Sequence, residues 1–451
     1  MDLGTIGLIT GLILLMALAM RGMNLFLAAP ISAIYIALMN GMALFSETGS
    51  TAANFSDSFL LGFSSFLKVW FLVFFLGALF GKAMEYSGSA EAIANWIIKR
   101  VGEDKAATAV VLACGVLTYG GVSVFVVAFA VYPLAVNMFR RANLPHRFIP
   151  AALALGSATF TMTSAGSMEI QNWLPVKHLG TTPYAAWPVS LFTAVIMAVL
   201  GILWLNRMIK KSVANREVFA LPEKSMMNAG TKEDEQAKDL PSPYIGFLAL
   251  LGVFATAFFF HDIYGNNALV IALAVGLMII IAACYKQLTP YFQAISSEGS
   301  TGALVAAGNT SAVVGFGMVV KQTAAFSAAV DMVTALPGSP LISAAIAVTV
   351  IAGITGSASG GQTIALPILA PIYLGLETPS GEPAVNKDHL HRVISLSSGV
   401  LDSLPHNGYV VTLIHAICGE SHKSAYGALA KMTMVVPALC AIGALLILSM
   451  L

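Results

Sequence analysis

Charged side chains are scarce in this chain: Asp, Glu, Lys and Arg make up 10% of its 451 residues, against 57% hydrophobic ones. Soluble domains carry about 25% charged residues, so a fold standing free in water is excluded. Neither sign is in excess. A formal net charge of +1 leaves no electrostatic footprint for a nucleic-acid partner and no acidic tail. Cysteine is sparse too: Cys114, Cys284, Cys418 and Cys440 lie far apart, each inside an apolar run, which matches neither a disulfide framework nor metal-ligand spacing. They read as packing residues. The pattern G-x-x-x-x-G-K-[ST] is missing, so nothing supports ATP-driven chemistry. No cofactor, metal or catalytic nucleophile is expected. The first apolar run, 6–20, lacks the marks of a secretory signal, since Asp2 stands where positive charge belongs and no small-residue cleavage site follows Arg21.

What the chain does have is a succession of apolar runs of roughly 17 to 25 residues, long enough to span a bilayer. The expected fold class is an all-α polytopic membrane protein. Spans are expected at 4–20, 25–45, 66–84 and 187–207, with a short amphipathic interfacial helix at 89–101. Two arms, 106–117 and 124–139, flank the polar tip Thr118-Tyr119-Gly120-Gly121-Val122-Ser123 and are too short to span separately. They read as a re-entrant hairpin, 106–139. A segment at 148–178 is apolar at both ends and polar in its middle, at Thr159 to Gly166, which reads as a broken helix.

After a hydrophilic linker, 209–241, the second half repeats the first. Spans are expected at 247–260, 269–284, 302–320 and 427–448, and an amphipathic stretch at 324–336. A hairpin at 341–374 turns at Thr355 to Thr363, and a broken helix at 391–418 opens at Asp402 to Gly408. Gly120-Gly121 corresponds to Gly360-Gly361, and His146-Arg147 to His391-Arg392. The expected organisation is thus a repeat at 1–208, the linker, and a repeat at 242–451. About five spans per half is an odd number, which inverts one repeat relative to the other. Charge agrees with that. With the N-terminus outside, Arg21, Lys82, Lys99, Arg100, Lys105, Arg140, Arg141, Arg147, the linker and Lys286 are cytoplasmic, while Glu47, Asp57, Asp262, Glu377 and Glu382 are external.

Hairpins entering from opposite faces bring their tips to the midplane beside the two breaks. Half-helices starting there aim unpaired N–H groups into a cavity, a setting that favours a small organic anion. The expected substrate residues are Tyr119, Gly120, Gly121 and Ser123 in the first tip, Thr161, Thr163 and Ser164 in the first break, Ser357, Ser359, Gly360 and Gly361 in the second tip, and His406 and Asn407 in the second break. No Arg or Lys stands in the tips or breaks themselves, so dipoles and hydroxyls are expected to hold the anion. The plain alternative for these small residues is close helix packing, for which membrane proteins use them heavily. An ionised carboxylate at membrane depth costs on the order of 2.5 to 3.5 kcal/mol. Asp402, with Ser403 and His406, is therefore the expected cation-coupling group; the alternative is a helix cap, or an ion pair to Arg392 or Lys431.

At this point a resemblance enters. T-G-S-A-S-G-G at 355–361, L-H-R at 390–392, S-G-V-L-D-S-L-P-H-N-G at 398–408, H-K-S-A-Y at 422–426, F-T-M-T at 160–163, Q-N-W-L-P at 171–175 and G-T-T-P at 180–183 resemble the gluconate permease (GntP) family of the ion transporter superfamily, and within it the hydroxybutyrate-permease-like branch. The resemblance implies a secondary transporter importing small organic acids by proton symport in the bacterial inner membrane, as a homodimer with a scaffold and a moving transport domain. In the sugar-acid branch the first tip carries an acidic residue. Here Gly120 and Gly121 stand there, which moves the expectation from gluconate toward a shorter hydroxy or keto monocarboxylate such as 3-hydroxybutyrate. Sodium coupling and cation/proton antiport are the alternatives, since hydroxyls, carbonyls and Asp402 also suit a cation; a membrane-embedded enzyme is a third class.

Overall fold

The computed structural model describes residues 3–21, 23–46, 52–102, 105–225, 240–334, 339–377 and 383–451. Asp2, Glu47, Glu382 and the linker residues 226–239 lie outside them. The described residues are helical with no strand, and six helices are long and apolar enough to cross a membrane. Leucines, valines and phenylalanines such as Leu61, Leu72, Val195, Leu203 and Phe259 are exposed along these helices. In a bilayer that is the solvated face, because lipid replaces water there.

Two helices are longer than the expected spans. Phe55–Tyr86 has 32 residues and Phe292–Lys321 has 30, which at 1.5 Å per residue is about 45 Å or more, against a hydrocarbon core of about 30 Å. They pack antiparallel along their whole lengths, from Gly62 beside Val314 to Lys82, whose Nζ is 2.9 Å from Glu298 Oε2. Small residues permit this approach: a Cβ on Gly62 would lie 2.7 Å from the Val314 carbonyl. The helices Leu25–Met39 and Asn267–Ala283 join this pair, at Phe26 against Gly308 and at Gly276 against Phe80.

Other helices surround the two breaks. Ala106–Tyr119 and Val124–Arg141 form the first hairpin, the second arm extending further than expected and long enough to cross. Pro340–Thr355 and Ala358–Leu374 form the second. The first broken helix consists of Ile149–Ser157 and Ile170–Leu179, and the second of Lys387–Ser398 followed by Gly408–Val411 and the π-turns Thr412–Ile417. Two more π-wound stretches, His422–Tyr426 and Lys431–Val435, precede the last helix, Val436–Met450. Nothing in the hydropathy pattern marks them, and such widened turns collect near functional sites. The helix Trp187–Ala214 carries into what the sequence reads as linker.

Each broken helix is pinned at its start to the loop that follows the other. His146 Nδ1 meets Glu420 Oε1 at 2.8 Å, and its Nε2 meets the Tyr132 hydroxyl at 2.8 Å. Correspondingly, His391 Nδ1 meets the Thr181 hydroxyl at 2.7 Å. The two His-Arg pairs therefore share a function in packing at the histidine. They differ at the arginine, since Arg147 turns outward to Glu217 at 3.0 Å while Arg392 is fully buried.

Two outcomes test these contacts. Gly62→Leu overpacks the long-helix pair and should cost roughly 2 kcal/mol, whereas Gly302→Ala, which meets nothing within 4 Å, should stay within about 0.5 kcal/mol. Thermal unfolding in detergent measures both, and equal midpoints would refute the close approach. Burial pushes the Glu420 carboxyl up, but hydrogen bonds from His146 and Ser424 outweigh it and hold the group below the ordinary 4.5. A carboxyl so depressed contributes stability that is present above its unfolded value and lost as pH falls through its folded one. The advantage of wild type over Glu420→Gln should therefore hold above about pH 4.5 and shrink as pH falls below it, and an advantage independent of pH would contradict the pairing.

Candidate substrate site

The first break, 158–169, begins where Ser and Thr side chains take over the carbonyls of the preceding helix. Thr159 Oγ1 donates to Leu155 O at 2.6 Å and Thr161 Oγ1 to Gly156 O at 3.1 Å, a local competition that disfavours continuing the helix. The opened backbone is satisfied from elsewhere. Ser190 Oγ accepts from Ala165 N at 2.8 Å, the Tyr119 hydroxyl donates to Ala165 O at 2.6 Å, and Trp173 Nε1 donates to Ser167 O at 3.0 Å. Tyr119 thus ties the first hairpin tip to the first break.

The second break, 399–407, is built from different parts. Asn407 accepts from Val410 N at 2.9 Å, capping the following half-helix, and donates to both Gly356 O and Asp402 O at 3.0 Å. That side chain joins the second hairpin tip to the break. Ser357 caps the next helix by accepting from Gly360 N at 3.1 Å. Ser403 Oγ donates to Asp402 Oδ1 at 2.9 Å, and the Tyr426 hydroxyl holds Ser403 O at 3.2 Å. Asp402 is 5% exposed. Among the described residues it pairs with neither Arg392 nor Lys431, and the cap belongs to Asn407 rather than to it.

The breaks also meet each other. A Cβ on Gly399 would lie 3.0 Å from Met162 Cε and 3.2 Å from Thr163 Cγ2, and the Ser157 hydroxyl bonds the Tyr409 hydroxyl at 2.8 Å. Thr163, Gly399, Asp402, His406, Asn407 and the second tip therefore belong to one connected region.

Within it, several buried polar atoms complete no hydrogen bond among the described residues. They are both ring nitrogens of His406, Gln362 Oε1 and Ser164 Oγ. His406 is 2% exposed and lies against Gly356, where a Cβ would sit 2.4 Å from the ring; the Gly353 and Ile354 carbonyls are its polar neighbours. Gly356 takes φ +60°, so glycine is required there twice over. Native interiors leave few buried polar atoms without a partner, and those that remain ask for an explanation.

Some expected site residues are placed differently. Gly120 and Gly121 are packed by Leu250, Met168 and Leu273 rather than open to a guest, and Gly361 faces the backbone of Ala352 in the other arm of its own hairpin. Their small size serves close packing. Thr161 and Thr163 direct their hydroxyls to backbone carbonyls of their own segment. A cation nevertheless reaches the first break from outside it. Arg392 extends from the helix before the second break into the first, where its Nη1 is 2.6 Å from Thr163 O and 3.0 Å from Asn172 Oδ1. Its place in the sequence, well before Asp402, carries no sign of that reach. Gln362, fully buried with Nε2 donating to Ser398 Oγ at 2.8 Å, is a second residue the pattern does not single out.

A cavity of about 210 Å³ lies where the long-helix pair meets the helices Ile170–Leu179 and Ala358–Leu374, lined by Trp70, Lys177, His178, Met318, Lys321 and Thr363 among others.

The chain is similar to several known proteins. A family model described as GntP family permease matches residues 3–399. The uncharacterised transporter YxjC of Bacillus subtilis (strain 168) is 36% identical, with 94% of each chain covered. An uncharacterised permease of Haemophilus influenzae is 25% identical over 81% of this chain and 78% of its own. Among solved structures, the YdaH transporter of Alcanivorax borkumensis aligns with a TM-score of 0.45 at 14% identity, covering 99% of this chain and 98% of that one. MtrF of Neisseria gonorrhoeae, from a class of antimetabolite efflux pumps, gives 0.45 at 12% identity over 94% of each chain. The chain belongs to the GntP permease family and is a multi-pass membrane transporter.

Proposed function

We propose that the protein imports a small organic carboxylate, a hydroxy or keto monocarboxylate such as 3-hydroxybutyrate or a gluconate-like sugar acid, together with a proton. The observation that carries this reading is His406: a buried ring against the second hairpin tip, on the same break as Asp402, whose nitrogens have the Gly353 and Ile354 carbonyls near them but complete no well-formed hydrogen bond among the described residues. A carboxylate or hydroxyl of the guest completes those hydrogen bonds. The N-termini of Ala358–Leu374 and Ile170–Leu179 add dipoles of the right sign. Asp402 carries the coupled proton, with Ser403 orienting it, and Ser164, Ser357, Ser359, Gly360 and Asn407 complete the pocket.

In this reading the two halves are inverted, with both termini outside the bacterial inner membrane. The helices around the breaks move against the long-helix pair as an elevator, and two copies form a homodimer. Lys177, His178 and Lys321 on the cavity wall draw anions toward the site. A sodium-coupled version is favoured by one observation, the unpartnered Gln362 Oε1, since neutral oxygens together with a carboxylate suit a hard cation.

Uptake of labelled short carboxylates into proteoliposomes, under proton and sodium gradients imposed separately, decides between these. Acid uptake driven by the proton gradient is expected. Asp402→Asn should abolish accumulation while leaving the thermal midpoint intact, and His406→Gln should weaken apparent affinity by roughly tenfold, the equivalent of about 1.4 kcal/mol. Accumulation by Asp402→Asn at the wild-type level refutes the coupling role, and cation exchange without any organic acid would install the antiporter instead.

A further inference from the structure

The guanidinium of Arg392 is fully buried, and its donors all meet neutral acceptors: Ala185 O at 3.2 Å from Nε and 3.0 Å from Nη2, Thr163 O and Asn172 Oδ1 from Nη1, and Pro183 O at 3.4 Å from Nη2. These bonds satisfy every N–H but leave the charge itself uncancelled. Among the described residues no carboxylate pairs with it. The titratable groups that face it are Tyr119, His391 and, a turn earlier in the same helix, Asp388. Asp402, on the same broken helix, faces Tyr426 and lies four residues before His406 in the sequence. Glu169, half-buried ahead of the helix after the first break, is the other carboxyl of this region.

A net charge at membrane depth is costly, and hydrogen bonds from neutral groups reduce that cost without removing it. From this arrangement we propose that Arg392 is the fixed positive charge against which guest and proton are matched, so that the site takes a monoanionic carboxylate with one proton and carries them without net charge. The inference rests on the carboxylate reading above. With the site empty and Asp402 ionised, Arg392 and Asp402 cancel. When the guest is bound and a proton from the aqueous side sits on Asp402, Arg392 and the guest cancel. A guest without its proton leaves the site at −1, and a proton without its guest leaves it at +1. Both half-filled forms meet the barrier to a buried charge, which is how coupling arises without any direct contact between proton and guest.

The test is uptake of labelled 3-hydroxybutyrate, or of the panel acid taken up fastest, into proteoliposomes whose membrane potential is clamped with potassium and valinomycin. Uptake driven by a pH gradient should be the same at every imposed potential. Asp402→Asn should still exchange internal for external acid, because its loaded form is neutral, yet show no net uptake, because its empty form is charged. Arg392→Lys keeps the charge and loses the fork, so apparent affinity for the acid should stay within about threefold, whereas Arg392→Gln should lose more than roughly tenfold. Wild-type uptake that follows the imposed potential overturns the proposal, as does equal impairment of the Lys and Gln variants, which would make Arg392 a clip for the first break. Loss of exchange in Asp402→Asn overturns it as well, and so does loss of coupling in Glu169→Gln with Asp402 intact. The potential dependence is read on the wild type and needs no variant to fold. If the wild type takes up no carboxylate at all, the substrate reading fails first and this inference with it; potential-driven carboxylate uptake sinks the inference alone.

Discussion

Every feature of the site depends on one constraint: chain that leaves the helix at membrane depth must find its hydrogen-bond partners inside the protein. Both breaks meet it with side chains from other segments. Ser190, Tyr119 and Trp173 hold the backbone at 165–167, and Asn407, Tyr426 and His422 hold Gly356, Ser403 and Pro405. The same bonds that make an open backbone tolerable fix each hairpin tip to its break. Site assembly and backbone satisfaction are therefore one event.

The two breaks solve the problem unequally. The first is closed by Arg392, Asn172 and apolar contacts at Gly120 and Gly121, with Ser164 beside the Tyr119 hydroxyl. The second keeps three unpartnered atoms, on His406 and Gln362, next to a buried carboxyl. The first is stiffened around a buried charge, and the second keeps a more polar interior. The His-Arg pairs show where they part: both histidines pin a neighbouring loop, but one arginine goes to the surface and the other to the interior.

Much of this was legible from the residues. Long apolar runs require helices in lipid, and Gly-Ser-Thr clusters flanked by such runs mark where a helix stops, so the helix ends at Tyr119, Ser157, Thr355 and Ser398 stand close to where the pattern places them. Asp402 and His406 stand out because ionisable groups inside apolar sequence are rare. Lengths were less legible. Phe55–Tyr86 and Phe292–Lys321 continue past their most apolar cores because each supports the other's polar end through Lys82, Tyr86 and Glu298. The π-turns after the second break leave no mark in hydropathy.

By itself, then, the sequence determined that the chain is a bundle of lipid-embedded helices with two interruptions, because hydrophobicity and helix-breaking chemistry act locally and can be read one segment at a time. Only the tertiary structure decided which atoms at those interruptions are already satisfied. Whether Thr161 bonds its own helix, Gly361 yields to Ala352 or Arg392 reaches across to Thr163 depends on partners far away in sequence. A hydrogen bond is settled within a few tenths of an ångström, and no residue pattern specifies distances between segments at that precision.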